Sequence, residues 1–428
     1  MTTDLQTDLR QSATDCVQRG IAALRSLQNA DGHWCGLLQG DSILESEYLL
    51  MKFILGQEDA PMRDGTGRET LEAIAAGLRR QQRADGTWGQ YPGADMDLSA
   101  TVKGYFALKL MGDVADAPHM VLAREAVLEV GGAEHINTFS NFYLACLGQV
   151  SWNAVPSIPP EIIYLPRWFY FHLTKVSAWT RTMILPLSLV TTFRPTRSLP
   201  KHCGIDELFV SERARHTLGK TVEAPAFWQI FFGAVDKTLK LLHHIGGSPV
   251  RGLAKRRCLD WILRRASQDG EAATDGLGAI FPPMVYIQIA LMAMGWKRSD
   301  PILRRAEKDL DDFFVHQRDD DGDYIMIQPC FSPVWDTGYA LYTLTECGLR
   351  QGDPSVDAAS AWLLEKECAF RGDWADGVSL PADATGWYFE YHNAWYPDVD
   401  DTAQVAMALH RTAADTGCAA GARGVKWL

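Results

Sequence analysis

Apolar positions recur every three or four residues along much of this chain, the period of a helix with one buried face. From Ile21 to Gly36 it reads IAALRSLQNADGHWCG, and from Ile74 to Gly89 IAAGLRRQQRADGTWG. In both, the helical spacing runs into an Asp-Gly pair. Glycine readily takes the left-handed conformation that ends a helix. Both copies close on Gln, three residues, Gly, one residue, Trp: Gln28–Gly32–Trp34 and Gln82–Gly86–Trp88. The Trp is spaced to fold back on its helix, and the Gln amide to tie the turn. Looser copies run from Leu310 to Tyr324 (Gln317, Gly322, Tyr324), from Ala361 to Trp374, and from Trp261 to Gly270, the last without a Trp after its glycine. One such segment is an ordinary helix with an aromatic residue after its cap. Five predict a repeat array, because each unit buries its apolar face only against a neighbour.

Leu98–Met111 and Met284–Gly295 add helical patterns, and strand-like alternation is scarce. The expected fold is all-α, with paired helices stacked into α/α toroids. The Pro-rich stretch 147–166 reads as a connecting loop, and the polar stretch 192–222 as a surface excursion. The most apolar stretch, Tyr164–Val190, is interrupted by Arg167, Lys175 and Arg181, with Pro166 and Pro186 near its ends, so it reads as a buried element and not a membrane span. Residues 224–245 are amphipathic: Trp228, Phe232, Val235, Leu239 and Leu242 share one face, while Gln229, Asp236, Lys240 and His243 fall elsewhere. Periodicity alone allows that apolar face to lie in a membrane interface, with packing against the core the favoured reading. Arg423–Leu428 resembles Arg19–Leu24, the opening of the first repeat, so the chain is expected to stop inside a repeat, as a truncated protein or one half of a split one.

Composition narrows the class. The chain has 428 residues, 47% hydrophobic, with 41 Lys+Arg against 53 Asp+Glu and a net charge of −12. That is too apolar for disorder and too acidic for a nucleic-acid binder with a basic stripe. Its length suits two or three domains. Nine cysteines without CxxC pairs predict reduced thiols, a cytosolic setting and no cysteine-only zinc site. The polar, acidic start predicts no signal peptide.

The sharpest chemical motif is Pro397-Asp398-Val399-Asp400-Asp401-Thr402-Ala403, three carboxylates within four residues at the head of a helical pattern. Close like charges cannot all ionise cheaply, so one proton is expected to be held tightly. The free N–H groups of a helix N-terminus favour the remaining anions. Together they could form a strong Brønsted acid. An acidic N-cap alone and a metal-binding aspartate motif are the alternatives; the DDxxD spacing used for Mg²⁺-diphosphate fails because position 404 is Gln. Trp387, Tyr388, Phe389, Tyr391, Trp395 and Tyr396 crowd the upstream segment, and Trp335 and Trp179 lie elsewhere. Aromatic faces stabilise cations without attacking them, so an acid among them suits carbocation chemistry on an apolar substrate. Asp319–Asp323 fails as an EF-hand, with Gln317 and Gln328 at ligand positions 1 and 12, and reads as a solvated turn.

GWYFEYHNAWYPDVDDTA, SPVWDTG, PPEI, DGTWGQYPG and the Gln–Trp repeats resemble squalene–hopene cyclases of the triterpene cyclase family, from Ile21 to Leu428. The DxDD motif alone is shared with class II diterpene cyclases; its combination with SPVWDT and several repeats is far more specific. The resemblance implies two α/α barrels: residues 1–30 as a helix of the catalytic barrel, 31–330 as an inserted barrel, and 331–428 as a partial catalytic barrel, the second barrel incomplete. It implies a cofactor-free, metal-free isomerase that protonates squalene and closes rings to hopene or hopanol. It also implies a monotopic enzyme on the cytoplasmic face of the membrane, docked through 224–245, which reverses the core-packing reading of that helix. Asp400 matches the proton donor, Asp398 and Asp401 its supporting carboxylates, and Trp335, Trp179 and Phe389 the cavity aromatics. Phe281 and Pro282 match a cavity-lining pair that reads Gln-Pro in some members. Glu47 matches a polar residue at the far end of the cavity. Lys103, Asn137 and His392 depart from the residues usual at their positions. The competing readings are a cyclase of an isoprenoid diphosphate, for which no basic clamp is evident, and an inactive remnant or a subunit needing a partner chain or a second copy.

Overall fold

The computed structural model describes residues 2–62, 67–217, 225–267, 270–376 and 385–428, and nearly all regular structure there is helical. The chain is of the all-α, α/α toroid class. It divides into two compact units. One comprises 1–38, 265–279 and 330–428; the other comprises 39–264 and 280–329. The expected uninterrupted insertion over 31–330 thus contains a segment, 265–279, that clusters with the first unit, where the backbone of Asp275 donates to the His392 carbonyl.

The repeat turn is built alike in both units. Gln28 Nε2 donates to the Gly32 carbonyl at 2.8 Å and to the Ser355 carbonyl at 3.0 Å; Gln82 Nε2 donates to Gly86 at 2.8 Å and His119 at 3.0 Å. The amide therefore closes its own turn and also ties it to the first turn of another helix, Pro354–Glu365 or Pro118–Glu129. Gly32 (φ 104°) and Gly86 (φ 81°) permit this approach: a Cβ would lie 2.6 Å from the Ala358 backbone, or 2.4 Å from Leu122 Cβ. Each Trp folds back on its helix, Nε1 of Trp34 donating to Leu24 and that of Trp88 to Leu78.

Two of the three looser copies differ from expectation. The helix Pro354–Glu365 is closed by Trp387, not Trp374: Trp387 Nε1 donates to the Leu363 carbonyl at 2.7 Å, and Trp387 is fully buried. Trp374 instead sits in the 3-10 turn Asp373–Asp376 and bonds to Phe370. An insertion between helix and aromatic hides the spacing; its residues 377–384 lie outside the described residues. The copy around Gln317 is a β-hairpin, Phe314–Asp319 against Gly322–Ile327, with Gln317 opposite Tyr324 and Asp320–Asp321 at the exposed turn. Arg251–Arg265 is helical and Gly270 has φ 68°, while the residues joining them, 268–269, lie outside the described residues.

The core of the first unit packs Trp34, Val334, Leu341, Leu344, Trp362, Leu363, Trp387 and Val405 together. In the second unit the helix Ala226–His244 packs the opposite way to its periodicity reading (Ala224 and the rest of 218–224 lie outside the described residues). Asp236 is its buried side chain, accepting from the Ser157 N–H at 2.8 Å and pairing with Lys240. Lys240 Nζ donates to the Asn153 carbonyl at 2.6 Å. Phe227, Trp228, Ile230, Phe231 and Phe232 point outward, the first 69% exposed, and Trp168 and Tyr170 nearby are also exposed. Buried polar groups follow their hydrogen bonds, and here these lie on the protein side. No described helix is long and apolar enough to cross a membrane.

Candidate active site

The carboxylate motif sits on a repeat turn of the first unit. The Trp387 N–H donates to Thr402 Oγ1 at 2.9 Å, and the Asp398 N–H donates to the Trp387 carbonyl at 3.0 Å. Asp398 is then the N-cap of the helix Val399–Arg411, its Oδ1 accepting from the Asp401 N–H at 2.8 Å. This is the favoured cap geometry, with an anion at the positive end of the helix dipole.

One residue of helical rotation separates two environments. Asp400 is exposed, whereas Asp401 is 2% exposed. Burial first, then a hydrogen bond to and repulsion from Asp398, with further repulsion from Glu390 and Asp400, push the Asp401 carboxyl up to about 10. It stays protonated at neutral pH, because an ion there would be desolvated among like charges. Oδ1 of Asp401 has no hydrogen-bond partner among the described residues.

The segment leading into the motif is held on several sides. Arg265 clamps Asp373 through both Nε, at 2.9 Å, and Nη2, and its guanidinium lies 4.1 Å from the Trp395 ring centre. Tyr396 Oη donates to Asp373 at 3.0 Å. Asp275 accepts from the His392 backbone at 2.7 Å and pairs with its ring at 3.0 Å, beside a bridge between Thr274 and Asn393. Trp335 and Phe389 are half-buried with ring centres 6.1 Å apart, and Tyr339 lies 4.7 Å from Trp335. A buried proton store, an accessible carboxyl and paired aromatic faces can deliver a proton and then stabilise a cation.

The remaining candidates belong to the other unit. Glu47 is buried and fully engaged, taking Lys103 Nζ on Oε1 and Tyr143 Oη on Oε2 at 2.7 Å. The lysine at 103 thus forms a buried ion pair. Asn137 caps the helix Thr138–Cys146, and its N–H donates to Ser99. Phe281 is fully buried at the start of Phe281–Ala293, with Pro282 half-buried beside it, and Trp179 is 54% exposed. Among the described residues no group of three or more His, Cys, Asp or Glu is arranged to hold a metal ion.

Sequence reading passed over Glu390, Asp275 and the Arg265–Asp373 pair. Glu390 carried a local signal, an acid flanked on both sides by aromatics in WYFEYHNAWY. The other residues lie over a hundred, or more than twenty, positions from the motif, and no spacing rule connects them.

Two family models match the chain: the squalene–hopene cyclase N-terminal domain over residues 17–319 and the C-terminal domain over residues 331–428. A squalene–hopene cyclase of Bradyrhizobium diazoefficiens is 37% identical over 99% of this chain and 62% of its own length. That of Zymomonas mobilis is 37% identical over 93% of this chain and 58% of its own, and that of Alicyclobacillus acidocaldarius is 33% identical over 92% and 59%. The chain therefore spans about three-fifths of the length of these relatives. A solved type II terpene cyclase, MstE from Scytonema, covers 84% of this chain and 81% of its own at 14% identity and a TM-score of 0.18, too loose a likeness to carry an argument.

Proposed function

The chain belongs to the squalene–hopene cyclase family, and from that premise we propose that it protonates a terminal double bond of squalene and guides the resulting cation through ring closure to a pentacyclic triterpene. The observation that carries this reading is the buried, proton-holding Asp401 hydrogen-bonded to the capping Asp398, directly beside an accessible Asp400. A donor must reach its substrate, and Asp400 is the accessible carboxyl on the helix side of the cap. Asp401 stores a proton behind it and Asp398 orients both. In the step, the Asp400 O–H bond breaks, the alkene electron pair forms the new C–H bond, and a carboxylate and a tertiary cation remain. Trp335 and Phe389 face that cation without a nucleophilic atom to trap it. The same reading gives substrate-contacting roles to Glu47, Phe281, Pro282 and Trp179 of the other unit.

Asp400→Asn is expected to lower cyclised product from squalene in detergent by at least about 10²–10⁴-fold with an unchanged circular dichroism spectrum. Turnover retained in the variant, or no cyclised product from the parent, overturns the reading.

The protein acts at a membrane surface in the same reading, on the cytoplasmic side. The support is the helix Ala226–His244, polar toward the protein and aromatic toward solvent. Such a face partitions into the lipid interface. Phe227→Ser with Phe231→Ser should weaken sedimentation with phospholipid vesicles by roughly tenfold or more, since each lost aromatic removes on the order of 1–2 kcal/mol of transfer energy. Equal binding by parent and variant removes this helix as the docking element.

A further inference from the structure

Glu390 lies on the segment between Trp387 and Asp398, 2% exposed, as deeply buried as Asp401. Its Oε2 accepts from Asn393 Nδ2 at 3.0 Å. The groups that face it are mostly acidic. Asp275 comes from the 265–279 segment, Asp398 and Asp401 from the head of the helix Val399–Arg411, and the Cys330 thiol from the approach to Pro333–Glu346. The neighbouring basic groups are engaged elsewhere: Arg265 on Asp373, the His392 ring on Asp275, and Lys366 on the Tyr391 carbonyl. Asn393 Oδ1, an acceptor, is buried without a donor among the described residues. Turning that amide over would bring its oxygen to Glu390 and let a protonated Glu390 donate to it. Burial, with Asp275 and Asp398 adding to it, raises the carboxyl to about 8.

We propose that Glu390 is a working member of the acid site, a buried carboxyl that must carry its proton for Asp400 to protonate an alkene and for the cation to survive. The inference rests on the cyclase reading above. Neutral, Glu390 adds no charge beside the cation. Ionised, its repulsion makes the proton stored on Asp401 harder to release, and it offers a base that can take a proton from an early cation and end the cascade short. Protons balance in either course: the one given by Asp400 is matched by one lost from carbon, or from an added water, at termination.

The test separates the two claims. Infrared spectra of the parent, Glu390→Gln and Asp401→Asn, titrated from roughly pH 5 to 10, need no substrate. The parent should show a protonated-carboxyl band that disappears between about pH 7 and 9 and is missing in Glu390→Gln. Incorporation of carbonyl-¹³C glutamate into the parent should shift that band, which keeps the test open even if the variant does not fold. A protonated-carboxyl spectrum unchanged by both the substitution and the label overturns the inference. On squalene, the ratio of the rate at pH 9 to that at pH 6 should rise at least about tenfold in Glu390→Gln, and superimposable profiles also overturn it. No cyclisation by the parent is instead the failure of the cyclase reading, and the infrared result stands apart from it.

Discussion

The turn from Trp88 to Thr101 in one unit and the turn from Trp387 to Thr402 in the other share a skeleton. In the first, the Trp88 N–H donates to Thr101 Oγ1 at 3.1 Å, Trp88 Nε1 to Leu78 at 2.9 Å, and the Asp97 N–H to the Trp88 carbonyl at 2.8 Å, while Asp97 caps the helix by accepting from Ala100 N–H at 2.7 Å. In the second, Trp387, Thr402, Leu363 and Asp398 repeat each bond. They differ in the second and third residues after the cap, Ser99 and Ala100 in one and Asp400 and Asp401 in the other. Ser99 accepts from the Asn137 N–H and Ala100 is fully buried, so that position is inert packing. Beyond the turn, Lys103 on the next helical turn bonds Glu47, and its charge also counters the burial that raises Asp41 to about 6. At the Trp387 turn no ion pair involves Asp398, Asp400 or Asp401 among the described residues, and the uncompensated charge is removed by a proton. The repeat provides a rigid, tryptophan-anchored helix N-terminus. Whether that terminus is scaffold or acid depends on two side chains and on where the nearest cation is spent.

If the skeletons are equivalent, Trp88→Ala and Trp387→Ala should each destabilise by about 3–5 kcal/mol, the usual loss for a buried large aromatic, measured by denaturant unfolding. A difference of more than about 2 kcal/mol between them would break the equivalence.

A smaller effect tests the electrostatic half. Ala100→Asp places a carboxyl at the Asp401 position of the other turn, and should cost on the order of 2–4 kcal/mol at pH 8 and less at pH 5. Asp401→Asn should do the reverse. A carboxyl raised in the folded state stabilises fully below its unfolded value and loses that contribution as pH rises toward its folded one. For Asp401 that window runs from 3.8 to about 10, so the variant should gain on the parent through it, by on the order of 1–3 kcal/mol at pH 8. Parallel stability–pH curves for parent and Asp401→Asn would show that the proton is not held there.

Much of this molecule was legible from local pattern. The Gln28–Gly32–Trp34 and Gln82–Gly86–Trp88 spacings determine their turns because the Gln-to-Gly bonds span four residues and the Trp ring bonds ten, whereas the bonds of the same groups to Ser355, Thr337 and His119 belong to the tertiary structure. The carboxylates at 398–401 had to cap a helix, since the free N–H groups of its first turn are only two or three residues away. Tertiary structure decided the rest. Trp387 displaced Trp374 because closure of the helix Pro354–Glu365 is judged by packing and not by spacing. The helix Ala226–His244 turned its aromatic face outward because Ser157 and Asn153 wait on the polar side. Asp401 is buried and holds a proton while its neighbour Asp400 is exposed, and Glu390 entered the site from an aromatic run. Proton affinity depends on desolvation and on charges from distant segments, and a linear pattern of residue types carries neither.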